Sequence, residues 1–123
     1  MFRALVEHNE TRDADGRPSG WQGYNAANAD LRRVFELEFD FPALEDESEK
    51  ELRLRACEWL FGLFNTPDDM LTSAERGWTA RYRALRLRSL SVGDVILLSS
   101  AGGPWQAYAV EAEGFRPVSM PSL

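Results

Sequence analysis

A strictly alternating segment near residue 40 predicts a strand with one side in water. Its apolar positions are Phe35, Leu37, Phe39 and Phe41, and its polar positions are Glu36, Glu38 and Asp40. Successive side chains of a strand point to opposite faces, so a period of two with one polar face is typical of a half-buried strand. Pro42 ends the pattern.

Four shorter runs predict further strands. Residues 2–7 alternate and are rich in strand formers, and residues 95–99 form an apolar run after a turn at 92–94. Residues 105–111 follow a glycine-rich turn at 101–104, so we expect them to pair with 95–99 as a hairpin. Gly114 then turns the chain into a short strand at 115–118, and the tail at 119–123 is expected to be loose.

A helix is predicted over about residues 47–64. Apolar residues follow helical spacing at Leu52, Ala56, Trp59, Leu60, Leu63 and Phe64. Ser48 or Asp46 can cap the start of this helix, and Pro67 marks its end. The whole pattern predicts an α+β fold, with one main helix packed on a mostly antiparallel small sheet.

Two segments are harder to assign. Residues 9–30 have loop composition, and a loop of this length is usually functional or disordered. Trp21 and Tyr24 within it either anchor the loop to the core or form an exposed aromatic contact surface. Residues 76–88 alternate arginine with other residues, which indicates an exposed strand or an extended segment.

Length and the rare residues limit the kinds of protein this can be. At 123 residues we expect one domain over residues 1–123. The single cysteine, Cys57, and the single histidine, His8, give neither a disulfide nor a cysteine-based zinc site. We expect Cys57 to be a buried small hydrophobe and His8 to lie at the surface or at the start of a loop. No cofactor and no metal are expected.

Charge and hydropathy concern location and partners. No apolar run approaches the roughly 20 residues of a membrane-spanning helix, and the N-terminus lacks the apolar core of a signal peptide. We therefore expect a cytoplasmic protein without a membrane partner. The net charge of −6 argues against a broad nonspecific grip on nucleic acid. Only Lys50 among the 14 basic residues is not arginine, which reflects either a GC-rich genome or selection for bidentate recognition.

Five arginines within 13 residues form the best functional candidate, and no acid lies among them. This arginine cluster consists of Arg76, Arg81, Arg83, Arg86 and Arg88. In an extended segment Arg81 and Arg83 share one face, with Trp78 and Tyr82 nearby, a pattern typical of phosphate- or base-contacting surfaces. The cluster and Tyr82 are the predicted partner-binding residues. Three uses of the arginines stay open: contact with nucleic acid, contact with an acidic partner protein, or internal pairing with the acidic residues between Glu36 and Glu51.

An acidic block precedes and opens the predicted helix. It consists of Glu36, Glu38, Asp40, Glu45, Asp46, Glu47, Glu49 and Glu51. The block is either a solvated strand face plus a helix N-terminus, or an imitation of nucleic-acid phosphates. Glu36 and Glu38 resemble a carboxylate pair for acid–base work. Because no nucleophile, metal-ligand set or glycine-rich loop lies near them in sequence, the sequence predicts no enzyme.

Residues 88–96 read Arg-Ser-Leu-Ser-Val-Gly-Asp-Val-Ile and predict a tight turn between strands. Gly93 permits a positive φ, Asp94 can accept backbone N–H groups, and the Ser89 and Ser91 hydroxyls can bond the backbone at the turn. Gly114 serves a second turn before Phe115. These residues specify the fold, or Arg88, Ser89, Ser91 and Asp94 form a small polar site at the sheet edge.

The same stretch resembles the YodL-like domain. The resemblance rests on 88–96, Tyr108 and 114–118, and upstream on Val34, Trp59-Leu60-Phe61, Phe64-Asn65 and Tyr82. It covers roughly residues 33–118, and the loop at 9–30 and the acidic insert at 42–51 depart from it. Such domains occur in proteins of phages, plasmids and integrated elements, often within polyvalent proteins thought to help the element survive in a new host.

These observations together predict a non-catalytic binding module of a bacterial mobile genetic element. We expect a protein–protein interaction, with an anti-defence role as one form of it. The alternative is a nucleic-acid-binding accessory protein that uses the arginine cluster. The sequence leaves the identity of the partner and the oligomeric state open.

Overall fold

The structure is a computed structural model that describes residues 1–100 and 102–119. Ala101 of the predicted turn and residues 120–123 of the predicted tail lie outside the described residues. The chain forms two compact units. We call residues 1–43 with the described residues from 91 onward the sheet unit, and Leu44–Leu90 the helical unit.

The sheet unit is a five-stranded antiparallel sheet. Its strands are β1 (Phe2–Asn9), β2 (Leu31–Phe39), β3 (Val95–Ser100), β4 (Trp105–Val110) and β5 (Phe115–Val118). They lie in the order β2-β1-β3-β4-β5, and every neighbouring pair is antiparallel. The predicted hairpin of β3 and β4 is confirmed. The predicted α+β class is confirmed as well, whereas a single domain with a helix packed on the sheet stays a prediction.

The alternation in β2 has the predicted consequence. Phe35, Leu37 and Phe39 are buried, whereas Glu36 and Glu38 are exposed. β1 lies between β2 and β3 and is buried along nearly its whole length. His8 belongs to this strand and is only 2% exposed, so the expectation of a position at the surface or at the start of a loop is wrong. The reason is that β1 continues to Asn9, two residues beyond the segment predicted from the alternation.

The long loop at 9–30 is ordered by its own hydrogen bonds. Glu10 donates its backbone N–H to the carbonyl of Asp30, which closes the loop at its base (2.7 Å). Tyr24 packs against a small apolar cluster of Leu5, Val95, Leu97 and Ala107. Trp21 is 63% exposed. The two aromatics therefore differ: Tyr24 anchors the loop, and Trp21 is a surface residue.

The helical unit contains two helices, α1 (Glu49–Asn65) and α2 (Ser73–Ala84). The prediction of α1 is confirmed, and Ser48 is its cap, with a side chain that accepts a hydrogen bond from the backbone N–H of Glu51 (3.1 Å). The prediction of an extended segment at 76–88 is wrong, because residues through Ala84 continue helix α2. No helix among the described residues is both long enough and apolar enough to cross a membrane.

Candidate partner-binding surface

Helix α2 begins with a reciprocal cap. The Thr72 hydroxyl accepts from the backbone N–H of Glu75 (3.2 Å), and the Glu75 carboxylate accepts from the backbone N–H of Thr72 (2.9 Å). Glu75 also accepts a hydrogen bond from the indole N–H of Trp59 on α1 (3.0 Å). The backbone N–H of Thr72, opposed by partial burial, lowers the pKa of Glu75. The cap therefore starts α2 and fastens it to α1.

Aromatic side chains fill the space between the two helices. Trp59 meets Trp78 edge-to-face at 5.6 Å between ring centroids, and Phe64 stacks on Tyr82 at 4.3 Å. Tyr82 is only 2% exposed. Such pairs contribute roughly 0.5–1.5 kcal/mol beyond their buried area. Tyr82 is thus a core residue of the helical unit, and its predicted place on a partner-facing surface does not fit its burial.

All five members of the arginine cluster are exposed. At 3.6 residues per turn, Arg76 and Arg83 lie on one side of α2, and Arg81 lies on the opposite flank. The expectation that Arg81 and Arg83 share a face is therefore wrong, since it required an extended chain. Arg81 and Arg83 occupy the last turn of α2, where a positive charge is favourable beside the carbonyl end of the helix.

The last two arginines follow the helix in an irregular segment at 85–90. Arg86 adopts a left-handed conformation (φ +57°), and its backbone N–H donates to the carbonyl of Arg83 (2.8 Å). The Tyr82 hydroxyl donates to the carbonyl of Arg88 (2.5 Å). The side chain of Asn65 makes two hydrogen bonds to the backbone of Leu90, at 2.9 and 3.0 Å. The hydrogen bonds of Tyr82 and Asn65 therefore hold the segment in one path.

A surface cavity of about 160 Å³ lies between this segment and the ends of the helices. Its apolar lining residues are Phe64, Pro67, Tyr82 and Leu87. Its polar lining residues are Asn65, Thr66, Arg83 and Ser89. Arg83 also donates to the carbonyl of Thr66 (3.2 Å) across the cavity wall. We call this the Phe64 cavity.

Several members of the acidic block form ion pairs within their own unit. In the sheet unit Arg3 pairs with Glu36 and with Glu38. In the helical unit Arg55 holds Glu47 with two hydrogen bonds, at 2.8 and 2.9 Å. The Arg55 guanidinium, helped by the backbone N–H of Leu44, lowers the pKa of Glu47 to about 2. This arrangement fits a solvated strand face and a helix N-terminus.

The predicted turn residues divide between the two units. Ser91, Gly93 and Asp94 belong to the sheet unit, where the buried Asp94 carboxylate accepts from the backbone N–H groups of Ser91 and Asn9 (both 2.8 Å). The Asn9 side chain donates to the carbonyl of Gly93 (3.0 Å). Ser89 is exposed and belongs to the helical unit. These contacts favour a fold-specifying role for Ser91, Gly93 and Asp94.

The second turn has simpler geometry. Gly114 has a φ of +77°, and its carbonyl accepts from the backbone N–H of Glu111 (3.1 Å). Phe115 follows as the first residue of β5 and pairs with Val110. This turn joins β4 to the edge strand.

The groups that bear on metal or thiol chemistry are few. The described part of the chain holds no group of three or more histidine, cysteine or acidic side chains that could bind a metal ion. Cys57 is fully buried, as predicted, and burial raises the pKa of its thiol. A raised pKa keeps the sulfur protonated and unreactive at neutral pH.

The comparisons with known proteins add no family. No family model, no curated protein and no solved structure matches this chain. The resemblance to the YodL-like domain therefore stays a prediction.

Proposed function

We propose that this chain is a non-catalytic binding module that engages an acidic segment of a partner protein through the arginine cluster. The observation that carries the proposal is the exposure of all five arginines in a stretch of 13 residues without an acid. The chain as a whole has a net charge of −6. A basic stretch of an acidic protein attracts acidic groups while the rest of the molecule repels them, which favours docking at that stretch.

Arginine suits this role better than lysine. Its planar guanidinium can form two parallel hydrogen bonds with one carboxylate, and it loses little hydration on binding. The cluster also stands on a scaffold with a defined path, because Asn65 and Tyr82 fasten the segment that bears Arg86 and Arg88. A pre-ordered surface lowers the entropic cost of binding.

A nucleic-acid-binding accessory protein is the alternative use of the same arginines. Single-stranded binding draws much of its energy from bases stacked on aromatic side chains. The aromatics that interleave with the cluster point elsewhere: Tyr82 is buried against Phe64, and Trp78 is half-buried against Trp59. Their positions favour a protein partner over a nucleic acid.

The biological setting is part of the proposal and rests on sequence. The resemblance of residues 33–118 to the YodL-like domain supports a mobile genetic element in a bacterium, and an anti-defence role is one form such binding would take. A cytoplasmic location is a further part of the proposal.

Capture from a bacterial lysate, with and without nuclease, tests the proposal. Three tagged proteins are compared: the natural chain, an Arg81→Glu/Arg86→Glu variant, and an Arg12→Glu/Arg17→Glu variant. The last pair lies on the exposed loop at 9–30 and changes the net charge equally. We expect one or more proteins to be retained by the natural chain and the loop variant, to survive nuclease, and to be lost from the cluster variant.

Two outcomes contradict the proposal. Equal retention by all three proteins shows that the arginine cluster is not the contact surface. Retention that disappears on nuclease treatment favours the nucleic-acid alternative. A log-linear weakening of that complex with rising salt concentration would support the same conclusion.

A further inference from the structure

We infer that the Phe64 cavity is a seat for one apolar side chain of the acidic partner segment. This inference rests on the proposed function and names the chemistry of the partner: an aliphatic residue such as leucine or valine, flanked by aspartate or glutamate. The cavity and the arginines belong to one compact unit, Leu44–Leu90. The cavity would then position the partner segment, and the arginines would bind its carboxylates.

The walls of the cavity are fixed before any partner arrives. The stacked rings of Phe64 and Tyr82 are buried and form its inner wall. Asn65 makes two hydrogen bonds to the backbone of Leu90, and Tyr82 makes one to the carbonyl of Arg88. The irregular segment at 85–90 therefore cannot move without the loss of these three hydrogen bonds. A preformed cavity avoids most of the ordering cost that an induced site would pay.

The size of the cavity matches one medium-sized side chain. Its volume is about 160 Å³, and an apolar cavity of about 150 Å³ in another protein is large enough for a benzene molecule. Phe64, Tyr82, Leu87 and Pro67 supply the apolar part of the lining. Asn65 and Ser89, which are both exposed, belong to its polar part.

The arginines at and near the cavity determine which residues the partner should carry beside that apolar side chain. Arg83 lines the cavity itself, and Arg86 and Arg88 lie on the segment that contains its lining residues Leu87 and Ser89. A side chain seated in the cavity therefore lies beside Arg83, and Arg86 and Arg88 flank the lining residue Leu87 in sequence. Carboxylates next to the apolar residue of the partner are the groups that this arrangement favours.

Short fluorescein-labelled acidic peptides test the inference. Their aspartate and glutamate residues are constant, and one central residue is serine, valine or leucine. We expect the affinity to rise in that order, with leucine bound at least about tenfold more tightly than serine. Ser89→Trp, which fills the cavity from its rim, should remove the preference for leucine. Ser73→Trp, on the exposed first turn of α2, should leave it intact.

The outcomes separate the cavity from the arginine cluster. If all three peptides bind equally and all weaken in Arg81→Glu/Arg86→Glu, the cluster is the binding surface and the cavity inference is wrong. If no peptide binds the natural chain, both the inference and the acidic-partner proposal are contradicted. The serine-to-leucine comparison uses the natural chain alone, so it decides the matter even if Ser89→Trp fails to fold.

Discussion

Gly93 and Asp94 lie in the turn before β3, where this turn comes close to the long loop of the sheet unit. The Asp94 carboxylate is fully buried and satisfies two backbone N–H groups, one of them 85 residues away at Asn9. Gly93 has a φ of +95°, and a Cβ at this position would lie 1.8 Å from the carbonyl oxygen of Gly20. Two neighbouring residues thus tie together three segments of the chain.

Gly93→Ala is expected to destabilise the protein severely. The substitution costs the roughly 1 kcal/mol of a left-handed non-glycine residue and adds a clash with backbone that cannot move without disturbing the loop. Gly114→Ala is the matched control, because Gly114 has a similar φ of +77° but nothing within 4 Å of its Cβ position. Urea unfolding should show a small loss for Gly114→Ala and a loss of more than about 3 kcal/mol for Gly93→Ala. Equal losses would show that the close approach to Gly20 does not matter.

Glu47 gives the protein a defined acid sensitivity. Its pKa in the folded state is about 2, below the roughly 4.3 of an unfolded glutamate. The ion pair with Arg55 therefore stabilises the fold fully above about pH 4.3 and progressively less as the pH falls toward 2. Glu47→Gln should be less stable than the natural chain at pH 7, and the difference should shrink as the pH approaches 2. Thermal unfolding over this range measures it, with exposed Glu45→Gln as the control; a difference independent of pH contradicts the assignment.

At the scale of elements, helix α2 shows where local pattern fails. The arginine pairs 81/83 and 86/88 each have the two-residue spacing of a strand, yet the buried and half-buried positions at 75, 78–79 and 82 have the spacing of a helix. The decisive signal in the sequence was the Thr72-x-x-Glu75 capping box, which marks a helix start. The arginines face solvent, and secondary structure is indicated by the spacing of the residues that face the core. The spacing of the arginines therefore did not indicate the secondary structure of this segment.

Two substitutions on α2 should have effects of opposite sign. Thr72→Ala removes half of the reciprocal cap and is expected to cost about 1 kcal/mol of unfolding free energy. Gly77→Ala, at an exposed interior position where a Cβ meets nothing within 4 Å, should stabilise by about 0.5–1 kcal/mol because alanine favours a helix. Urea unfolding followed by circular dichroism measures both. A neutral Thr72→Ala together with a destabilising Gly77→Ala would contradict a helix at 73–84.

The other elements were predictable because their core-facing pattern is local. Alternation placed β2, and Ser48 with the following apolar spacing placed α1. The contacts of Asn9 with Gly93 and of Asn65 with Leu90 were not predictable. These contacts join residues far apart in sequence. Asparagine is also common in solvated loops, so its presence alone does not indicate such a contact. The Phe64 cavity depends on such contacts, so the sequence gives no sign of it.

At the scale of the whole molecule, charge is distributed unevenly along the chain. The net charge is −6, while residues 76–88 carry five arginines and no acid. Glu36, Glu38 and Glu47 of the acidic block pair with arginines outside the cluster. The sequence was sufficient to locate the cluster. Because residues 73–84 are helical, however, Arg81 and Arg83 do not share a face, and Tyr82 is buried in the core of the helical unit.

Hydrogen–deuterium exchange of the captured complex tests the central claim most directly, because it reports where the partner binds. The natural chain is measured alone and with the protein retained from lysate. We predict slower exchange on binding at residues 81–90, with little change along β2 and β5. Protection confined to β2 or β5, the two edge strands of the sheet, with residues 81–90 unchanged, would contradict the assignment of the arginine cluster as the binding surface.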